Sequence, residues 1–108
     1  MDLTAKTCVP CQGGIPPLTA QQARGYMAQV PGWMLSPAAD RINRKFTFGD
    51  FKAALDFVDK VGALCEAEGH HADITFGWGY ADVLFFTHKI KGLHENDFIM
   101  AAKVNALA

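Results

Sequence analysis

From Ile74 to Phe86 the chain is an apolar segment with a Gly-containing turn at Gly79-Tyr80, and before the turn Ile74, Phe76 and Trp78 alternate with Thr75 and Gly77. Period-two patterning split by a Gly-X pair predicts a two-stranded antiparallel hairpin. With Gly79-Tyr80 as the turn, Trp78 faces Ala81 and Phe76 faces Val83. Continuing the same count brings residues near His71 opposite His88, so His70, His71 and His88 are expected at one mouth. In the returning strand, Ala81, Val83, Phe85 and Thr87 share one face, and Asp82, Leu84, Phe86 and His88 take the other.

The segment that feeds this hairpin is the clearest helix in the chain. Phe51, Ala54, Leu55, Val58, Val61, Gly62 and Cys65 recur at helical spacing, with Lys52, Asp56, Asp59, Lys60 and Glu66 on the opposite side. Phe57 and Leu64 fall outside that stripe, and Gly69 stands where a left-handed C-cap is expected. Glu66 is then in the last turn, and His70-His71 leave the helix end directly.

A matching unit precedes it. Thr19 and Gln22 form a capping-box signature with Leu18 placed to staple onto Ala23, and Pro31-Gly32 ends the helix. An antiparallel pair, Trp33–Ser36 with Arg41–Thr47, follows. At the other end, Leu93 to Asp97 opens a final helix that is apolar nearly all round from Phe98 to Leu107. Such a helix is expected to be covered on more than one side. We take the second cover to be a partner subunit, and expect a homo-oligomer. The order α-β-β-α-β-β-α therefore predicts an α+β fold of two layers, with three helices on one face of a four-stranded antiparallel sheet. Leu84 and Phe86 on the uncovered face point to a partner or a ligand groove.

Residues 1–17 carry Cys8-Val9-Pro10-Cys11, Gly13-Gly14 and Pro16-Pro17, and read as an extended arm that packs no core; residues 18–108 form the domain. The lone CxxC is half of a zinc knuckle without its second pair, so free thiols are the plainer reading. At 108 residues with a formal net charge of −1, the chain has no general field for nucleic acid and is one domain. No apolar run reaches the ~20 residues of a membrane span. Three cysteines and no signal-peptide pattern fit a cytoplasmic protein.

Histidine both gives and takes protons near neutral pH, so two or three around a pocket suit proton transfer on a hydroxylated heterocycle. Glu66 is placed to orient one imidazole. Two other readings stay open: histidines that only satisfy a helix end, and a three-histidine metal site. The second is awkward, because vicinal His70 and His71 point to opposite sides of an extended chain. His94 reads as a cap-region residue.

At these residues the sequence resembles the pterin-4a-carbinolamine dehydratase family. The pattern is carried by Glu66, His70-His71, Trp78, His88 and Asp97, and the likeness runs from Thr19 through Pro31-Gly32-Trp33 to Asn105. It implies dehydration of 4a-hydroxytetrahydropterin to quinonoid dihydropterin, the step of tetrahydrobiopterin recycling, in a homodimer or homotetramer without metal or bound cofactor. Carried over by residue, His70 and His88 would be the acid/base pair, His71 would chiefly bind the pterin, and Glu66 would set an imidazole. Substrate contacts would come from His70, His71, Ala72, Trp78, Thr87, His88, Lys89 and Ile90. The chain departs from the family pattern at Ala72, where Pro or a small polar residue is usual, and at Ile74, where an aromatic often stands. Leu84 and Phe86 are apolar where many members are polar. The resemblance also admits a non-enzymatic relative with a protein client, such as a Rubisco assembly chaperone of carboxysomes.

Overall fold

Asp50 begins the long helix by accepting the Ala53 N–H at 2.8 Å, and Gly69 ends it in the left-handed conformation at φ 68°. A glycine at that position avoids the steric cost that a Cβ brings there. The computed structural model describes residues 3–9 and 15–108. Its elements are a 3-10 turn at Leu3–Ala5, α1 (Ala20–Met27), β1 (Met34–Leu35), β2 (Ile42–Thr47), α2 (Phe51–Glu68), β3 (Asp73–Gly77), β4 (Tyr80–Phe85), a second 3-10 turn at His88–Ile90, and α3 (Glu95–Leu107). The strands form one antiparallel sheet in the order β1-β2-β4-β3. Three helices and this sheet make the expected two-layer α+β fold.

Alternation along the strands divides the sheet. Ile42, Phe46, Ala81, Val83 and Phe85 are buried against the helices. Asn43, Asp82 and Leu84 lie on the other face, where the Asn43 side-chain amide donates to Asp82 at 3.2 Å. The outer face is thus more polar than Leu84 and Phe86 alone suggest, and the Arg41 guanidinium sits 4.9 Å from the Phe86 ring centroid.

Two expectations shift. The hairpin turn is Trp78-Gly79, one position earlier than predicted, so Gly77 pairs with Tyr80, Phe76 with Ala81 and Ile74 with Val83. Gly79 takes the left-handed position at φ 82°, and its carbonyl accepts the Phe48 N–H at 2.8 Å. The register moves by two residues, which leaves every side chain on its predicted face. In α2 the buried line is Ala54, Phe57, Val61 and Cys65, while Phe51 is exposed. Phe57 is drawn inward by Phe46 and Phe48, with ring centroids at 4.6 and 5.2 Å. Phe51 instead lies over Phe76 at 5.7 Å.

The cover of α3 is a third difference. Asn96 to Ala102 and Val104 are all buried within a single chain. One side faces α2 and β4; another is closed by the Leu3–Ala5 turn, and Phe98 stacks on Tyr26 of α1 at 4.9 Å. No second subunit is needed to bury this helix, so its apolar surface gives no ground for an oligomer. The same packing corrects the reading of the first residues as an arm outside the core. Leu3 is 3% exposed and belongs to the core cluster, and Lys6 pairs with Glu95 at 3.0 Å. Cys11, with the rest of residues 10–14, lies outside the described residues. Cys8 is half-buried, and burial with the nearby Glu68 charge pushes its thiol up to about 12. A thiol held protonated in this way is a poorer nucleophile than an ordinary exposed one.

Leu3→Ala is expected to destabilise the chain by about 2–4 kcal/mol, as for a core leucine. Urea unfolding measures this, and a change below about 0.5 kcal/mol, typical of a surface site, would return the segment to the status of an arm.

Candidate active site

Once Gly69 has ended α2, the next two residues part company. His70 turns inward: its side chain is 11% exposed, and its Nε2 lies 2.6 Å from Oδ1 of Asp97. The imidazole lies nearly parallel to the Phe85 ring, at 6.1 Å and 13°. His71 turns outward, where its Nε2 meets Glu66 at 2.5 Å and both side chains stay mostly in water. The opposed directions expected of vicinal residues are observed.

Asp97 is wholly buried. A carboxyl group out of water is tolerated only with hydrogen-bond partners. Three are present: His70 Nε2 and, on Oδ2, the Thr87 hydroxyl at 2.8 Å and the His94 backbone N–H at 3.0 Å. The last belongs to a capping box, in which His94 Nδ1 accepts the Asn96 N–H at 3.0 Å. His94 is therefore a cap, as its position predicted. Thr87, two residues beyond β4, is 3% exposed and its hydroxyl donates to Asp97.

His88 opens the 3-10 turn beyond β4. It is exposed, its ring packs at 4.0 Å on Phe86, and its Nε2 lies 3.9 Å from Asp73. Residues 69–73 and 86–89 enclose an open cleft of about 420 Å³, which gathers His70, His71 and His88. The mouth predicted from the hairpin count exists despite the register shift. Another hollow, of about 360 Å³, lies on α1 around Gln22 and Tyr26 and holds none of these histidines.

Of the residues expected at the site, Ala72, Thr87 and Lys89 border the cleft with the histidines. Ile90 ends the 3-10 turn without lining it, and Trp78 is not there at all. Trp78 stands 71% exposed at the hairpin turn, whereas the cleft lies at the open end beyond Asp73 and Phe85. A strand of five residues separates them. Asp97 is the functional group that residue-by-residue reading underrated. Its place at the third position of a capped helix was visible, but its contact with His70, 27 positions away, was not. Glu66, expected to set an imidazole, sets that of His71. Among the described residues no group of three or more His, Cys, Asp or Glu side chains is arranged to hold a metal ion. Nor, among those residues, is any helix long and apolar enough to cross a membrane.

The arrangement can pass protons. One imidazole is braced by a buried carboxyl group, and two others line the same cleft with their rings largely in water.

Comparison with known proteins identifies the family. A family model described as pterin 4 alpha carbinolamine dehydratase matches residues 16–107. A protein of Methylococcus capsulatus is 65% identical over 106 residues, covering 98% of this chain and 93% of its own. One of Halorhodospira halophila is 58% identical over 107 residues, covering 99% and 98%. Both carry the provisional name pterin-4-alpha-carbinolamine dehydratase. Among solved structures, a transcriptional coactivator/pterin dehydratase from Brucella melitensis superposes with a TM-score of 0.80 at 30% identity, over 85% of this chain and 98% of that one. A pterin dehydratase-like protein identified as a RuBisCO assembly factor in the alpha-carboxysome superposes with a TM-score of 0.56 at 28% identity, over 70% and 86%. With its fold, its cleft and a family match over most of its length, this chain belongs to the pterin 4 alpha carbinolamine dehydratase family.

Proposed function

We propose that the protein dehydrates a 4a-hydroxytetrahydropterin to the quinonoid dihydropterin by histidine acid/base catalysis. The observation that carries this reading is the His70–Asp97 pair opening on the cleft that also holds His71 and His88. The reaction breaks the C4a–O bond and the N5–H bond and releases water. One group must protonate the departing hydroxyl while another accepts the N5 proton. Two imidazoles lining one cleft are suited to both needs, and each proton transfer of this kind contributes about 10²–10⁴-fold.

In this reading Asp97 holds Nε2 of His70, which fixes the ring and leaves Nδ1 to exchange the proton. His88 acts from the segment after β4, with its ring packed on Phe86. His71, held by Glu66, binds the heterocycle at the rim. Ala72 and Lys89 complete the substrate contacts, and Thr87 serves through Asp97. Trp78 drops out of this list for a single chain because of its distance along the hairpin.

Association of copies belongs to the same reading, on a different footing from α3. Trp78 and Phe51 are large and exposed at the far end of the sheet, an apolar pair suited to contact with another copy. A protein client is the second reading, favoured by the likeness to the RuBisCO assembly factor. It has the lower structural similarity of the two neighbours.

Wild type should accelerate decay of the carbinolamine in a stopped-flow assay, and His70→Ala and His88→Ala should each lower kcat about 100-fold or more. His71→Ala should mainly raise KM. Wild type and both alanine variants decaying at the buffer rate would sink the enzymatic reading and leave the client. Light scattering at micromolar protein should give a multiple of 11.8 kDa; a clean monomer mass would remove the oligomer.

A further inference from the structure

We infer that the segment of residues 3–9 is a strap that positions the His70–Asp97 pair, with Asn96 and Glu68 as its anchoring residues. The inference uses the dehydratase reading for its kinetic arm only.

The family model begins at residue 16, so this segment lies outside it. Yet its attachments converge on two places. On α3, the Asn96 side chain grips the Val9 backbone in both directions: its Oδ1 accepts the Val9 N–H at 3.1 Å and its Nδ2 donates to the Val9 carbonyl at 2.7 Å. Asn96 is 1% exposed and is the residue immediately before Asp97. On α2, the Glu68 carboxylate accepts the Cys8 N–H at 3.0 Å, two residues before His70. Consecutive strap residues thus tie the end of the helix that delivers His70 to the first turn of the helix that carries Asp97.

Further contacts hold the strap along α3. Lys6 pairs with Glu95, whose same oxygen accepts the Tyr26 hydroxyl at 2.8 Å, and Lys103 donates to the Thr4 carbonyl at 3.0 Å. Leu3 closes the strap into the core. The first turn of α3 therefore has Glu95 and Asn96 committed to the strap and Asp97 to the histidine. A buried 2.6 Å contact tolerates little relative motion of its two bearers, because hydrogen bonding weakens steeply with distance and angle. Tying the bearers by one extended segment removes that motion. This is a positioning role, since no strap residue borders the cleft.

The test reads the His70 ring directly. In wild type at alkaline pH, long-range ¹H–¹⁵N correlations should show the single Nε2–H tautomer that donation to Asp97 requires. Asn96→Ala and Glu68→Ala should each give a mixture of tautomers. Glu68→Gln, which keeps the acceptor oxygen, should restore the single form. The two alanine variants should also lower kcat about tenfold with KM nearly unchanged, as expected for a slightly misplaced acid/base group. Gly79→Ala serves as the control for lost stability: it strains a left-handed turn at the far end of the sheet, where an added Cβ would lie 3.2 Å from the Phe48 carbonyl oxygen. It should lower Tm and leave the tautomer single. If Asn96→Ala fails to fold, Glu68→Ala decides alone. Retention of the single tautomer in the folded alanine variants, as in Gly79→Ala, would overturn the strap. A wild type without dehydratase activity would remove the kinetic arm and the enzymatic reading, while the tautomer measurement would still decide the positioning role.

Discussion

Burying the carboxyl group of Asp97 obliges the chain to bring it donors, and each donor left unmade would cost about 1–3 kcal/mol. The donors come from three parts of the fold: the exit from α2 supplies His70, the exit from β4 supplies Thr87, and the start of α3 supplies the His94 N–H. The sheet, the long helix and the last helix are thus joined at the same point where the cleft opens. In the proposed reading, stability and chemistry share one group. The imidazole whose Nε2 is held there cannot rotate freely, whereas His71 and His88 keep water around them. Such asymmetry suits a site in which one acid/base group must be aimed and the others must meet a ligand arriving from solvent.

The outer features follow from the same point. Glu95, Asn96 and Asp97 occupy one helical turn and face three different partners: Lys6 with Tyr26, Val9, and His70. The N-terminal segment is consequently part of the architecture around the site. Cys8 is placed there by its backbone, and its thiol is held protonated by burial beside Glu68. This gives Cys8 a structural setting beside Glu68 and Asn96.

What could be read from the residues was local. The Thr19–Gln22 capping box is present in both directions, Gly69 caps α2 in the left-handed form, and the alternation in β4 puts Ala81, Val83 and Phe85 inside. Each of these is decided within a few residues, by backbone sterics or by side-chain period. The position of the hairpin turn was missed by one residue because either neighbour of Gly79 makes a plausible pair. The phase of the sheet faces was insensitive to that error. Phe57 was placed outside the buried stripe because its partners, Phe46 and Phe48, come from a different element. The other assignments that failed or stayed incomplete were long-range. Leu3 enters the core beside α3, Asp97 reaches His70, and Trp78 is carried to the end of the hairpin away from the cleft. No spacing rule connects residues so far apart. The family pattern placed Asp97 with the histidines, but only the geometry gives it a partner.

The central claim is that Asp97 aims His70, and Asp97→Asn tests it most directly, because the side chain keeps its size while losing its capacity for negative charge. Stopped-flow rates of carbinolamine dehydration should be compared with wild type, with circular dichroism and Tm recorded on the same samples. The account predicts a folded variant whose kcat falls about 100-fold or more, by analogy with the loss seen when a carboxylate that orients a catalytic histidine is made neutral. A folded Asp97→Asn variant that turns over at the wild-type rate would contradict it.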